Sequence, residues 1–191
     1  METKGVATLQ RDVKATLIPA GTPIDLPVGT QVMITQELGG YFTVYAGGHL
    51  ARIEGKDAEA LGREVPKQDE PETVNKEVTG SVDVDLVWEQ LRTCYDPEIP
   101  VNMVDLGLIY RCEAFPIYDD DNNESLIGNR VEIDMTLTAP GCGMAGFFLD
   151  DIKKKTKTVP NVTEVKIELV FDPPWDQSMM SDEARLKLGL L

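Results

Sequence analysis

Hydrophobic positions in the first third of the chain recur with the short period of β-strands. Val32 to Leu38 is a mostly apolar run. Gly39-Gly40 follows it, then Tyr41-Phe42-Thr43-Val44-Tyr45, then Gly47-Gly48, then His49 to Ile53. Apolar runs of this length, separated by glycine pairs that accept positive φ at both central positions, predict antiparallel strands joined by tight hairpins. Pro19 to Pro23 and Leu26 to Thr30 read as turns between shorter strands, and Asp57 to Leu61 as one closing helical turn. We expect residues 1–62 to form a small β-rich domain, as a barrel or a sandwich. From 63 to 80 apolar residues nearly vanish, and such a segment cannot bury enough surface to offset its ordering entropy; it reads as a linker.

The period changes after the linker. Val84, Val87, Trp88 and Leu91 follow i, i+3, i+4, i+7 spacing, which predicts a helix capped by Ser81 or Asp83 and stopped at Asp96-Pro97. A strand from about Leu108 to Phe115 and a loop from Pro116 to Asn129 follow. That loop carries Asp119, Asp120, Asp121 and Glu124, whose spacing does not fit a calcium loop, so it reads as a solvated hairpin tip. Val131, Ile133, Met135 and Leu137 then alternate with polar residues as a half-buried strand. Met144, Phe148 and Ile152 recur every fourth residue in a helix to about Thr158, with Lys153, Lys154, Lys155 and Lys157 at its C-terminal dipole end. Val165, Ile167, Leu169 and Phe171 alternate in a third strand, and Asp182 to Leu188 forms a last helix ended by Gly189. The expected fold class is α+β: residues 81–191 form an α-β-β-α-β domain with a terminal helix, its three-stranded sheet backed by helices.

Candidate chemistry concentrates at the corner between the second strand and its helix, Thr138-Ala139-Pro140-Gly141-Cys142-Gly143. Cys142 sits near a helix N-terminus, where free N–H groups and the helix dipole favour thiolate over thiol. Such a residue suits a metal ligand or a nucleophile. A lone cysteine in an intracellular protein is more often a small buried hydrophobe. Upstream, Asp96-Pro97-Glu98-Ile99-Pro100 presents two carboxylates on a proline-stiffened loop, and Asp105 precedes Gly107. Taken alone, these acids read as turn-capping residues. Thr138 either orients the cysteine or is an ordinary strand-face threonine. His49, the single histidine, reads as a turn-adjacent strand residue.

Composition narrows the field. A formal charge of -15 and a pI near 4.4 argue against nucleic acid and against anionic membrane surfaces. Three widely spaced cysteines (Cys94, Cys112 and Cys142) make neither a disulfide framework nor a zinc knuckle. No run approaches the roughly 18 apolar residues of a membrane span, so we expect a cytoplasmic protein.

Four stretches carry a resemblance: Asp96-Pro97-Glu98-Ile99-Pro100-Val101, Val104 to Tyr110, Met135 to Cys142, and Asp172-Pro173-Pro174-Trp175. In this order they resemble the signature of the SufT-type iron–sulfur assembly factors, a family shared with PaaD and the eukaryotic cytosolic iron–sulfur targeting subunits. The likeness runs from residue 81 to the end. It implies an accessory factor of the SUF system that helps assemble iron–sulfur clusters or transfer them to client apoproteins, rather than an enzyme. It further implies Cys142 as the functional ligand, with Asp96, Glu98, Asp105 and Thr138 around it, and carries no role onto Cys94 or Cys112. Many relatives have proline after the cysteine, where this chain has Gly143. The cargo implied is an iron–sulfur cluster or iron, held transiently, since thiolate is the soft ligand such cargo takes. One thiolate per chain cannot hold a cluster, so a second copy in a homo-oligomer, a client protein or nearby carboxylates must complete it. The competing reading is a metal-free adapter that docks clients to the assembly machinery. A cysteine-dependent enzyme fits less well, because residues 81–191 contain no histidine to serve as base.

Overall fold

A computed structural model describes residues 5–66, 78–119, 125–139 and 141–190. Most of the expected linker and of the acidic tip (residues 67–77 and 120–124), together with Pro140, lies outside the described residues. The chain divides into two compact units, and the division does not follow chain order. One unit gathers residues up to 66 with Tyr95–Pro100 and Gly141–Met144; the other holds the remainder.

The first unit is built on six strands: β1 (Gly5–Thr8), β2 (Val13–Ile18), β3 (Pro23–Leu26), β4 (Gln31–Leu38), β5 (Tyr41–Ala46) and β6 (His49–Glu54). They pair antiparallel in one sheet of order β1-β4-β5-β6-β2-β3, not in the two sheets of a sandwich. Gly39, Gly40, Gly47 and Gly48 all take positive φ, as the two hairpins require. Alternate residues, Val32 and Ile34 on β4, Phe42 and Val44 on β5, Ala51 and Ile53 on β6, meet Leu9, Val13 and Leu26 in one dry core. The closing turn after β6 is a 3₁₀ segment, Gly55–Leu61, which adds Ala58, Ala60 and Leu61 to that core.

Two departures from simple alternation matter below. The β4–β5 register shifts between Ile34 and Gln36, and a bulge of this kind re-aims the side chains beyond it. Gln36 is thereby buried, although polar. β5 is also buried on both faces at Tyr41 and Thr43, not on its core face alone.

The second unit contains α1 (Val84–Leu91), β7 (Ile109–Tyr118), β8 (Leu126–Met135), α2 (Ala145–Thr156), β9 (Glu164–Leu169) and α3 (Asp182–Lys187). Asp83, not Ser81, caps α1, its carboxylate accepting from the Asp85 amide at 3.0 Å. The sheet order is β7-β8-β9, with β8 antiparallel to β7 and parallel to β9, so α2 is the crossover of a β-α-β unit. Val131, Ile133 and Met135 of β8 are fully buried, as are Val87 and Leu91 of α1 and Ile152 of α2. The alternate residues of β7 and β8 carry charge. Arg111 bridges Glu113 at 2.7 Å and Asp134 at 2.6 Å, and Arg130 bridges Glu132 at 2.9 Å. The Arg111 hydrogen bond holds the Asp134 carboxyl below its ordinary range. The architecture is therefore mixed α+β: a six-stranded antiparallel sheet, and a three-stranded sheet with helices.

Strand limits differ from the sequence expectation in three places. β7 continues through Tyr118 and β8 begins at Leu126, so both ends of the expected Pro116–Asn129 loop are ladder. Proline is tolerated there because β7 is an edge strand. β8 ends at Met135, before Leu137 and Thr138, because the Thr136 amide leaves the ladder and donates to the Leu108 carbonyl at 2.8 Å. β9 stops at Leu169, leaving Phe171 exposed.

Candidate functional site

The motifs of residues 101–110 and 172–181 are parts of one interlock in the second unit. Gly107 has φ +73°, and a Cβ placed on it would collide with the Met179 carbonyl oxygen and lie 2.7 Å from that carbonyl carbon. The Trp175 indole donates to the Leu106 carbonyl at 2.8 Å, the Tyr110 hydroxyl to the Pro173 carbonyl at 3.0 Å, and the Ser181 amide to the Asp105 carbonyl at 2.9 Å. Asp105 itself is half-buried and reciprocally paired. Its carboxylate accepts from Asn102 Nδ2 at 2.6 Å, and its amide donates to Asn102 Oδ1 at 2.9 Å.

In the first unit, Asp96 is buried at 8% exposure and closes a turn. Its Oδ1 accepts from the Glu98 and Ile99 amides, both at 2.8 Å. Burial raises its pKa above the ordinary 3.8, while the two amide donors act the opposite way. Glu98 is exposed, and its pKa is also raised, by partial burial first and by the neighbouring Asp96 charge second. Three side chains of the six-stranded sheet hold the carbonyls of this turn. Gln36 Nε2 donates to Asp96 O at 2.8 Å, Thr43 Oγ1 to Pro97 O at 3.1 Å, and the Tyr41 hydroxyl to Tyr95 O. The guanidinium of Arg52 lies 4.1 Å from the Tyr41 ring centroid and supports that tyrosine from behind.

Cys142 lies three positions before the first residue of α2, half-exposed, between Gly141 (φ +83°) and Gly143. The other cysteines occupy different settings. Cys94 is fully buried, and burial followed by the Asp151 charge pushes its thiol far up. Cys112 faces Ile133 across the β7–β8 ladder, its pKa raised to about 11, chiefly by burial. His49 is exposed at the start of β6.

Of the residues singled out in the sequence, Cys142, Asp96 and Glu98 belong to the first unit, and Asp105 and Thr138 to the second. Thr138 is exposed beyond the end of β8 and is not a strand-face residue. Among the described residues no three His, Cys, Asp or Glu side chains are placed to share a metal ion. Sequence reasoning missed Gln36, Tyr41 and Thr43. The available signal was a glutamine and a threonine at positions where a strand buries them.

The family model described as iron–sulfur cluster assembly protein matches residues 85–168. A protein of Porphyromonas gingivalis named Fe-S protein maturation auxiliary factor is 48% identical over 105 residues, spanning 55% of this chain and 90% of that one. The chain belongs to the iron–sulfur cluster assembly protein family. Another relative in this family, the Fe-S protein maturation auxiliary factor SufT of Staphylococcus aureus, is 33% identical over 95 residues, covering 50% of this chain and 96% of its own. An iron–sulfur cluster carrier protein of Synechocystis sp. is 27% identical over 95 residues, which are 50% of this chain but 24% of the carrier. All three alignments cover about half of this chain. Among the described residues no helix is long and apolar enough to cross a membrane.

Proposed function

We propose that this protein is an accessory factor that receives iron or an iron–sulfur cluster transiently on Cys142 and passes it to client apoproteins. In this reading residues 81–191 are the family domain and residues 1–62 an added β-rich module. The observation that carries it is the contrast among the three cysteines. Cys94 is buried; Cys112 and Cys142 are both half-exposed, but Cys112 is fixed in the middle of a ladder with its pKa raised to about 11, whereas Cys142 is on a loop that opens a helix. The names of the relatives, maturation factors and a carrier, support the cargo.

Asp96 and Glu98 supply negative charge in the same unit as the cysteine. Asp105 and Thr138 are assigned to its surroundings by resemblance. The carboxylates of Asp96 and Asp105 already accept hydrogen bonds from turn groups, so their part is to shape loops more than to ligate. With one candidate ligand thiol per chain, the remaining ligands come from the client, from the assembly machinery or from a second copy. An incomplete ligand set favours hand-over above storage.

The test is iron and acid-labile sulfide content, with visible absorption, on protein purified without oxygen. Wild type is expected to carry iron, and Cys142→Ser to carry less by about tenfold or more. Equal loading of the two removes Cys142 as the ligand. No metal in either leaves the adapter reading, in which the protein docks clients without handling cargo.

A further inference from the structure

Gly143 is packed backbone against backbone. A Cβ built on it would lie 2.6 Å from the carbonyl oxygens of both Pro19 and Ala20, and 2.7 Å from the Ala20 carbonyl carbon. The contact is mutual, since a Cβ on Gly21 would collide with the Gly143 carbonyl oxygen. Real Cβ atoms do not tolerate such distances to backbone, which cannot swing aside as a flexible side chain can. Gly143 does not take positive φ, so a side chain is excluded there by contact alone and not by backbone conformation. Pro19 to Gly21 form the tip of the β2–β3 hairpin, closed by the Gly21 amide donating to Leu17 O at 2.8 Å and the Leu17 amide donating to Thr22 O at 2.8 Å. The same unit holds the Tyr95–Pro97 carbonyls through Gln36, Tyr41 and Thr43. Two loops that come from far along the chain are thus both seated on the six-stranded sheet's unit.

We propose that the β2–β3 hairpin tip is a positioning clamp for the cysteine loop. The peptides of Pro19 to Gly21 fix the backbone at Gly143 and so set how Cys142 is presented. The glycine after the cysteine is the residue that lets the hairpin approach. A proline ring at 143 would occupy the space that the Pro19 and Ala20 carbonyls fill. The assignment rests on the reading of Cys142 as the cargo ligand, but its test does not use cargo.

The measurement is the rate of Cys142 alkylation by iodoacetamide, resolved from Cys94 and Cys112 by peptide mass spectrometry, with amide exchange of residues 141–144 alongside. Gly143→Ala is expected to speed both by about threefold or more, the lower range for directly coupled neighbours. Gly146→Ala, a substitution with nothing within 4 Å of the new Cβ, is the control and should leave both unchanged. Replacing Pro19 to Thr22 by a two-residue Asn-Gly turn is expected to loosen the loop by itself, and Gly143→Ala should add little in that background. The clamp is overturned if Gly143→Ala alkylates at the wild-type rate, or if its effect persists undiminished in the short-turn variant. If Gly143→Ala does not fold, the short-turn variant alone decides: a wild-type rate there rejects the clamp. Equal cargo loading of wild type and Cys142→Ser, with the alkylation and exchange rates changed as expected for Gly143→Ala, would fail the cargo reading and leave the clamp standing.

Discussion

Gly107→Ala is expected to lower the unfolding free energy by about 2–5 kcal/mol, from two separate causes. An alanine held in the left-handed region costs about 1–2 kcal/mol relative to its preferred conformations, and Gly107 sits at φ +73°. The new Cβ would also meet the Met179 carbonyl, which belongs to the backbone and cannot rotate away. Forcing such an insertion costs about 1–3 kcal/mol more. Displacing Met179 strains the neighbouring contacts of Trp175 with Leu106 and of Ser181 with Asp105, so the damage extends through the interlock. Denaturant unfolding monitored by tryptophan fluorescence measures it. Gly189→Ala, with similar φ and open space around it, separates the strain from the collision and should cost only the smaller part. Equal losses in the two variants would show that the Met179 contact contributes nothing.

Asp96→Ala should cost about 1–3 kcal/mol, because it strands the part-buried amides of Glu98 and Ile99 that now share one carboxylate oxygen. Asp96→Asn retains an oxygen acceptor at that place and behaves differently with pH. In the folded protein the Asp96 pKa is raised, so the native state holds that proton more tightly than the unfolded chain does. The stability tied to this proton is fully present below the ordinary carboxylate value of 3.8 and is lost as pH rises through the folded pKa. Glu98 is shifted in the same direction and contributes with the same sign, more weakly because it is exposed. Relative to Asp96→Asn, wild type should therefore lose stability as pH rises from the ordinary carboxylate value of 3.8 through the raised folded pKa. Urea titrations of both proteins across that range are the check. A wild-type advantage that grows with pH would mean the amide donors, not burial, dominate at Asp96.

Much of the scaffold was legible in the chain because its signals are local. The paired glycines at 39–40 and 47–48 can be read as hairpins from two residues and their neighbours. The i, i+3, i+4 spacing of Val84, Val87, Trp88 and Leu91 predicts a helix without reference to anything else. Pro116 misled, since a proline ends a strand in the middle of a sheet but not on an edge, and edge position is a property of the assembled sheet. The motif residues around Gly107 and Trp175 were visible as a pattern of unusual residues, yet the pattern does not say that one exists to accommodate the other.

What the sequence determined by itself is the mixed α+β class, the family and the placing of Cys142 on a loop that opens a helix, because these rest on periodicity, turn chemistry and four motifs in order. The tertiary structure alone decided which segments share a compact unit. Gln36 and Thr43 become donors to the Asp96 loop through a register shift between β4 and β5, and Gly143 becomes obligatory through the close approach of Pro19 and Ala20. Contacts between residues far apart in the chain leave no periodic trace in it, so their partners emerge only when the backbone is folded.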